Sequence, residues 1–256
     1  MYREMTAADH HRVLGIDAES VPDIVFILGV LDVHAGTARF SEYLERPEPL
    51  RRFPGYLATH SGFRVGLCGA FGAPMAAFHA HTWTAAGAAT VVQLGWYGAL
   101  QPGTQLGDVC VPRHAERQDG ASDWYLPKGI LADASSDLSG LIAERLRGQD
   151  VTVHQQAIYS TPALLAESRD VILDWSRHGY HGVDMETAAT LAVGRHFGVR
   201  RAAALMRYDD LIAEEDHLAI QLPRERRQVL RSREVVVLTS ILEALAGERE
   251  AMEQRV

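Results

Sequence analysis

The chain has little cysteine: Cys68 and Cys110 are the only two in 256 residues, and they form no Cys-x-x-Cys pair. That excludes a disulfide framework and a structural zinc site as organising devices, and both thiols are expected to pack as small apolar side chains. Long apolar runs are missing too. No stretch reaches membrane-spanning length, and the polar start Met-Tyr-Arg-Glu-Met-Thr lacks the apolar core of a signal peptide, so a cytoplasmic protein without a membrane partner is expected. Positive charge is in deficit, with 25 Lys and Arg against 33 Asp and Glu, a net charge of -8. A surface for polyanions, and hence a nucleic-acid partner, is not expected, although the balance leaves room for a pocket that holds one phosphate. Histidine is plentiful at 12, yet no His-Glu-x-x-His or tight His/Asp cluster has metal-ligand spacing, so no metal is expected.

What is present suits one large α/β domain spanning residues 1–256, with 47% hydrophobic and 23% charged residues. The organising stretch is 182–211. Small and apolar residues recur there at helical spacing over 185–197, Gly198 stops the helix, and 202–206 reads as a buried strand. Two acids bracket it. Glu186 stands at the helix start and Asp209 just past the strand, at the edge where ligands collect in an open α/β sheet. A carboxylate at a helix N-terminus is also favoured by the dipole, so a capping role competes for Glu186.

Elsewhere, 23–29 reads as a buried strand, 37–45 as a helix, 47–55 as a linker, and 56–68 as two strands around a Ser-Gly turn. A Gly-rich strand-to-helix turn follows at 69–81, then a strand and loop from 89 and a polar loop over 107–127. A helix over 136–148, a strand over 151–158 and a long amphipathic helix over 223–251 complete the set. Tyr159 and Ser160 end a strand, where one could stack on a flat ring and the other hydrogen-bond it.

In order, Val-Asp-Met-Glu-Thr-Ala-Ala, His-Phe-Gly-Val and Tyr-Asp-Asp-Leu at 183–211 resemble the nucleoside phosphorylase family, which includes the nucleosidases. The likeness extends back to His11 through several motifs. It implies a three-layer α/β/α fold whose twisted mixed sheet forms a partly closed barrel. It also implies a homo-oligomer, a dimer or trimer of dimers, with active sites shared between subunits. No cofactor is implied; phosphate is a possible co-substrate. By the same resemblance Met185 packs under a ribose whose hydroxyls Glu186 grips, Asp209 faces the base as proton donor, and Tyr159 and Ser160 line the base. Phe71 and Gly95 border the ribose and base pocket, Tyr208 stands where the family commonly has serine, and His11 enters a neighbouring subunit's site. Gly29, Gln93, Trp96 and Arg51 fall at the phosphate or nucleophile pocket.

The departures from the pattern are as informative. Gly29-Val-Leu-Asp keeps the family's first-loop glycine but loses its proline and, soon after, its arginine; Arg39 lies further on and reads as a solvated helix residue. Gln93 stands in place of an arginine and Trp96 in place of a small residue. Gln removes a fixed charge and a bidentate fork, and two lost charge-assisted contacts of roughly 1.5–3 kcal/mol each weaken phosphate binding by orders of magnitude. The expectation is cleavage of a nucleoside N-glycosidic bond, purine or modified base favoured, by hydrolysis. Phosphorolysis with a rewired phosphate site and a catalytically silent nucleoside-binding protein are the alternatives.

Overall fold

The computed structural model describes residues 2–213 and 223–254. Its helices are α1 (Ala7–Leu14), α2 (Val33–Ser41), α3 (Ala73–Ala86), α4 (Ser136–Arg147), α5 (Arg169–Arg177), α6 (Thr187–His196) and α7 (Arg224–Glu253). The strands are β1 (Ile24–Gly29), β2 (Glu45–Pro49), β3 (Gly55–His60), β4 (Phe63–Ala70), β5 (Thr90–Ala99), β6 (Val109–Cys110), β7 (His114–Arg117), β8 (Ala132–Asp133), β9 (Val153–His154), β10 (Ile158–Ser160), β11 (Gly182–Asp184) and β12 (Arg200–Asp210).

All twelve strands join in one mixed sheet, in the order β2-β3-β4-β1-β5-β11-β10-β7-β8, with β12 on the other edge of β5 and leading on to β6 and β9. β5 is long enough to change partners: its first half pairs parallel with β1 and its end pairs antiparallel with β11. The sheet therefore curls around β5, forming a partial barrel whose hydrogen-bond ladder does not close among the described residues.

Strand alternation explains the three layers. Ile24, Phe26 and Leu28 of β1 face one way, into a core with Phe40 of α2, Leu138 and Ile142 of α4, and Val237 and Ile241 of α7. Val25 and Ile27 face the other way, onto α1, α3 and α6 through Leu14, Trp83 and Val193. A strand covered on both faces reads as an unbroken apolar run, as 24–28 does. Cys68 and Cys110 are buried free thiols, and Trp83 Nε1 donates to Cys68 Sγ at 3.0 Å.

Several boundaries differ from the sequence reading. α2 starts at Val33 rather than 37 because Asp32 caps it, accepting from Ala35 N at 3.0 Å. The expected linker begins as the exposed edge strand β2, whose prolines are tolerated because an edge leaves their missing N–H unneeded. Residues 151–158 give the two short strands β9 and β10, and the 202–206 strand extends to all of β12.

Arg39 is not solvated. Its Nε and Nη2 donate to Glu234 of α7 at 2.9 and 3.0 Å, and that carboxylate is only 2% exposed. Removing one partner of a buried pair strands the other charge in apolar surroundings. Arg39→Ala is therefore expected to lower unfolding free energy by about 3 kcal/mol, read by urea denaturation, whereas a change below about 1 kcal/mol would show that Glu234 does not need it.

Candidate active site

Parallel strands β1, β4, β5 and β12 end on the same edge of the sheet, and the candidate residues gather there. Glu186 is the N-cap of α6 but does not cap it with its side chain. Asp184 fills that role: its Oδ2 accepts from the N–H of Thr187 at 2.9 Å and from the Thr187 hydroxyl, and its Oδ1 from Ser160 Oγ at 2.6 Å. Glu186 is thereby released to reach across the edge. Its Oε1 accepts from Gly72 N, at the start of α3, at 2.6 Å.

Gly29 is the floor of this arrangement. A Cβ there would lie 2.6 Å from Glu186 Oε2 and 3.0 Å from Gln93 Nε2, so only glycine lets the three approach. Gly95 serves the same end, since a Cβ on it would meet the Gly29 carbonyl oxygen at 3.0 Å. Gln93 is fully buried; its Oε1 accepts from Thr190 Oγ1 at 2.6 Å and its Nε2 donates to the Leu94 carbonyl at 2.9 Å. Met185 extends over Gly72, its Cε 3.8 Å from the Cβ position there.

Burial pushes the Glu186 carboxyl up to about 8, with the Asp184 charge adding to the effect and the Gly72 N–H opposing it. Burial raises Asp184 as well, against its bonds from Ser160 and Thr187. Asp184 collects three donors, so it is the member of the pair that carries the charge, and Glu186 the member that holds the proton.

At the far end of β5, Asp209 pairs with Gly98 just after a bulge in β12, and its Oδ1 lies 3.0 Å from the Cβ position of Gly98. The neighbouring acid is engaged in the fold, since Asp210 pairs with Arg207 at 3.1 Å and accepts from the N–H groups of Ile212 and Ala213. Asp209 is half-buried beside Tyr208, whose hydroxyl is raised by burial and by the Asp209 charge. Gln93 and Gly98 are five residues apart on β5, about 17 Å along an extended strand, so Glu186 and Asp209 lie toward the two ends of that stretch.

Other expected residues take no part in the Glu186–Gly29–Gln93 contacts. Ser160 is buried, with its hydroxyl engaged by Asp184 and by the Ala188 N–H, so it holds the α6 start. Tyr159 stacks on Trp175 with ring centroids 4.3 Å apart, leaving one ring face uncovered by that partner. Trp96 lies on the opposite face of β5 from Gln93, packed edge-on against Phe40 with the Arg39 guanidinium 5.8 Å away. Its indole N–H is buried with no partner among the described residues. Phe71 is exposed at the β4–α3 turn, and Arg51 is exposed between β2 and β3. His11 bonds the Ala86 carbonyl at 2.9 Å, at the opposite end of the 14-residue α3 from Glu186, ~20 Å away in its own chain. Among the described residues no group of three or more His, Cys, Asp or Glu is placed to hold a metal ion.

Glu167 was not singled out in the sequence. It follows β10, and its Oε1 is buried without a partner among the described residues. Burial, then the Asp209 charge, raises it to about 7. A glutamate beside Ser and Arg in a loop reads as solvated, so the only signal was its position after a strand end.

A curled mixed sheet between two helical layers carries, on one edge, a Glu-bearing helix start facing a glycine floor and an acid at the end of the long central strand. The profile of the Phosphorylase superfamily matches residues 24–243, and the chain belongs to that family. Guanosine phosphorylase of Halorubrum lacusprofundi is 28% identical over 161 residues, covering 61% of this chain and 65% of that protein. The DeoD-type purine nucleoside phosphorylase of Roseobacter denitrificans is 26% identical over 192 residues, 74% of this chain and 80% of that one. The structure of uridine phosphorylase from Vibrio fischeri ES114 superposes with a TM-score of 0.80 at 24% identity, covering 91% of this chain and 95% of that chain.

Proposed function

We propose that this protein cleaves the N-glycosidic bond of a nucleoside, with a purine or modified base favoured, and that water is the attacking group. The observation that carries the choice of water is the Glu186 carboxyl group lying with the Gln93 amide over Gly29, where the family resemblance puts phosphate. The Gly72 N–H at the start of α3, a natural anion donor, is already taken by Glu186. A dianion entering there would meet an acid and a neutral amide instead of an arginine fork.

In this reading Asp209 gives its proton to a ring nitrogen of the base as the C1′–N bond breaks and its electron pair leaves with the base. The water oxygen bonds to C1′ and its proton passes to solvent. Charge builds as a cation on the sugar and is neutralised on the base, which is where a proton donor lowers the barrier most. Glu186 and Met185 orient the ribose. His11 and Arg51 belong, on this account, to sites shared with neighbouring subunits of a homo-oligomer, consistent with the ~20 Å between His11 and Glu186 along α3.

Phosphorolysis is the second reading, favoured by the likeness to guanosine and purine nucleoside phosphorylases. The two are separated by assaying a panel of purine and pyrimidine nucleosides with phosphate present and with it enzymatically removed. Free sugar at equal rates in both conditions is expected. Sugar-1-phosphate formed only when phosphate is supplied would overturn water as the nucleophile.

A further inference from the structure

β12 carries one residue too many for its ladder with β5. Arg207 stands opposite Tyr97, but Asp209 stands opposite Gly98 and Asp210 opposite Ala99, so Tyr208 is the extra residue of a bulge. The bulge decides which way Asp209 points. In an unbroken strand positions 207 and 209 share a face, which here is the buried face of Tyr97 and Ala99. The extra residue turns Asp209 over to the Gly98 face, with its Oδ1 3.0 Å from the Cβ position of Gly98, and brings Asp210 round to the face of Arg207.

A salt bridge marks that exchange. Arg207 Nη2 and Asp210 Oδ2 lie 3.1 Å apart, and the two residues are only 3% and 7% exposed. Residues three apart in a regular strand point to opposite faces with their Cα atoms about 10 Å apart, so this pair closes only across the bulge. The flanks are fixed on both sides: Arg207 N donates to the Asp108 carbonyl at 2.8 Å, and Leu211 N to the Ala99 carbonyl at 3.0 Å. Well-packed apolar residues often stabilise a fold as much as a buried ion pair does, and setting a register is the best attested use of such a pair.

We infer that Arg207 is a positioning residue for Asp209: its ion pair with Asp210 locks the bulge that presents the Asp209 carboxyl at Gly98. The inference rests on the reading above in which Asp209 gives a proton to the base. Without the lock, the strand regains regular pairing by a one-residue slip that puts Tyr208 opposite Gly98 and Asp209 opposite Ala99, on the buried face. The acid is then turned away from the base while the rest of the sheet stays in place.

The test uses the double variant Arg207→Met/Asp210→Asn, which strands no buried charge and keeps an oxygen for the N–H groups of Ile212 and Ala213. Arg207→Lys keeps the charge and is the conservative control. Asp210→Asn alone still offers Arg207 an acceptor, so it costs stability before it frees the bulge. Crystal structures give the residue opposite Gly98, and kcat is measured for adenosine, inosine and p-nitrophenyl riboside. The double variant is expected to show Tyr208 opposite Gly98. It should lose roughly 10²-fold or more in kcat on the two nucleosides and less than about threefold on the p-nitrophenyl riboside, whose leaving group needs no proton. Added to Asp209→Asn, the same two changes cost less than about twofold further, because all act through one carboxyl. Arg207→Lys stays within about fivefold of wild type on all three substrates.

Asp209 still opposite Gly98 in the double variant overturns the lock, whatever the rates. Equal losses on all three substrates, in a protein where Asp209→Asn alone discriminates between them, overturn it as well. A slipped strand together with an Asp209→Asn variant fully active on nucleosides leaves the lock standing and removes Asp209 as the acid. If the wild type turns over none of the three, the structures alone decide the lock.

Discussion

Asp209→Asn is expected to lower kcat for an ordinary nucleoside by roughly 10³-fold, within the range that a positioned acid supplies. Asparagine keeps the shape and can still donate a hydrogen bond to the base, but it has no proton to transfer, so the base must leave as an anion. The same variant should lose less than about tenfold on a p-nitrophenyl riboside, whose leaving group needs no protonation. That contrast separates loss of acid catalysis from loss of fold. Asp210→Asn makes the opposite control, because Asp210 is engaged with Arg207 and the 212–213 turn and its loss should appear in stability first. Equal losses of kcat on both substrates in Asp209→Asn would remove Asp209 from the role of acid.

Glu186→Gln should move activity and stability in opposite directions. The ribose grip draws on the ionised, acceptor-only form that Glu186 reaches as pH rises through about 8 and that Gln lacks, so kcat/KM at that pH is expected to fall by roughly 10²-fold, about 2.7 kcal/mol of transition-state stabilisation. Stability follows the titration. The folded-state value for Glu186 is raised to about 8 from 4.5, so the folded protein retains a proton that the unfolded chain has released. Folding is therefore unaffected by this group below about pH 4.5 and loses free energy as pH rises from there toward 8. Glutamine carries no such penalty. The variant should unfold at nearly the wild-type temperature at pH 4.5 and several degrees higher at pH 8, a gain on the order of 4 kcal/mol. A variant less stable than wild type at pH 8 would mean that Glu186 is held as a paired anion. Stability sacrificed at a buried acid is what a functional site looks like in thermodynamic terms.

The sheet and its two helical layers were legible because periodicity reports burial. The run 24–29, the small residues of 185–197 and the glycines after them are dictated by which faces are covered. The positions of Glu186 at a helix start and of Asp209 at the end of a strand were legible as well. What the sequence did not disclose depends on contacts between distant segments. Arg39 looks solvated until α7 brings Glu234 to it, nearly two hundred positions later in the chain. Trp96 was expected in the nucleophile pocket, yet strand alternation turns it onto α2 while Gln93, three residues earlier, turns to α6. Ser160 was expected against the base and instead braces Asp184 and the α6 start. Glu167 could not be distinguished from a surface acid, because the loop that carries it is fixed by Arg169 to the carbonyls of Leu211 and Ile212, more than forty positions away.

The central claim is that water, not phosphate, attacks C1′, and isotope transfer tests it most directly. A single turnover of nucleoside in ¹⁸O-labelled water with saturating unlabelled phosphate is followed by mass spectrometry of the sugar, quenched before the anomeric oxygen exchanges. The account predicts free ribose carrying one ¹⁸O at C1, in the same yield without phosphate. Ribose-1-phosphate with no ¹⁸O on its bridging oxygen, formed in proportion to added phosphate, would contradict it.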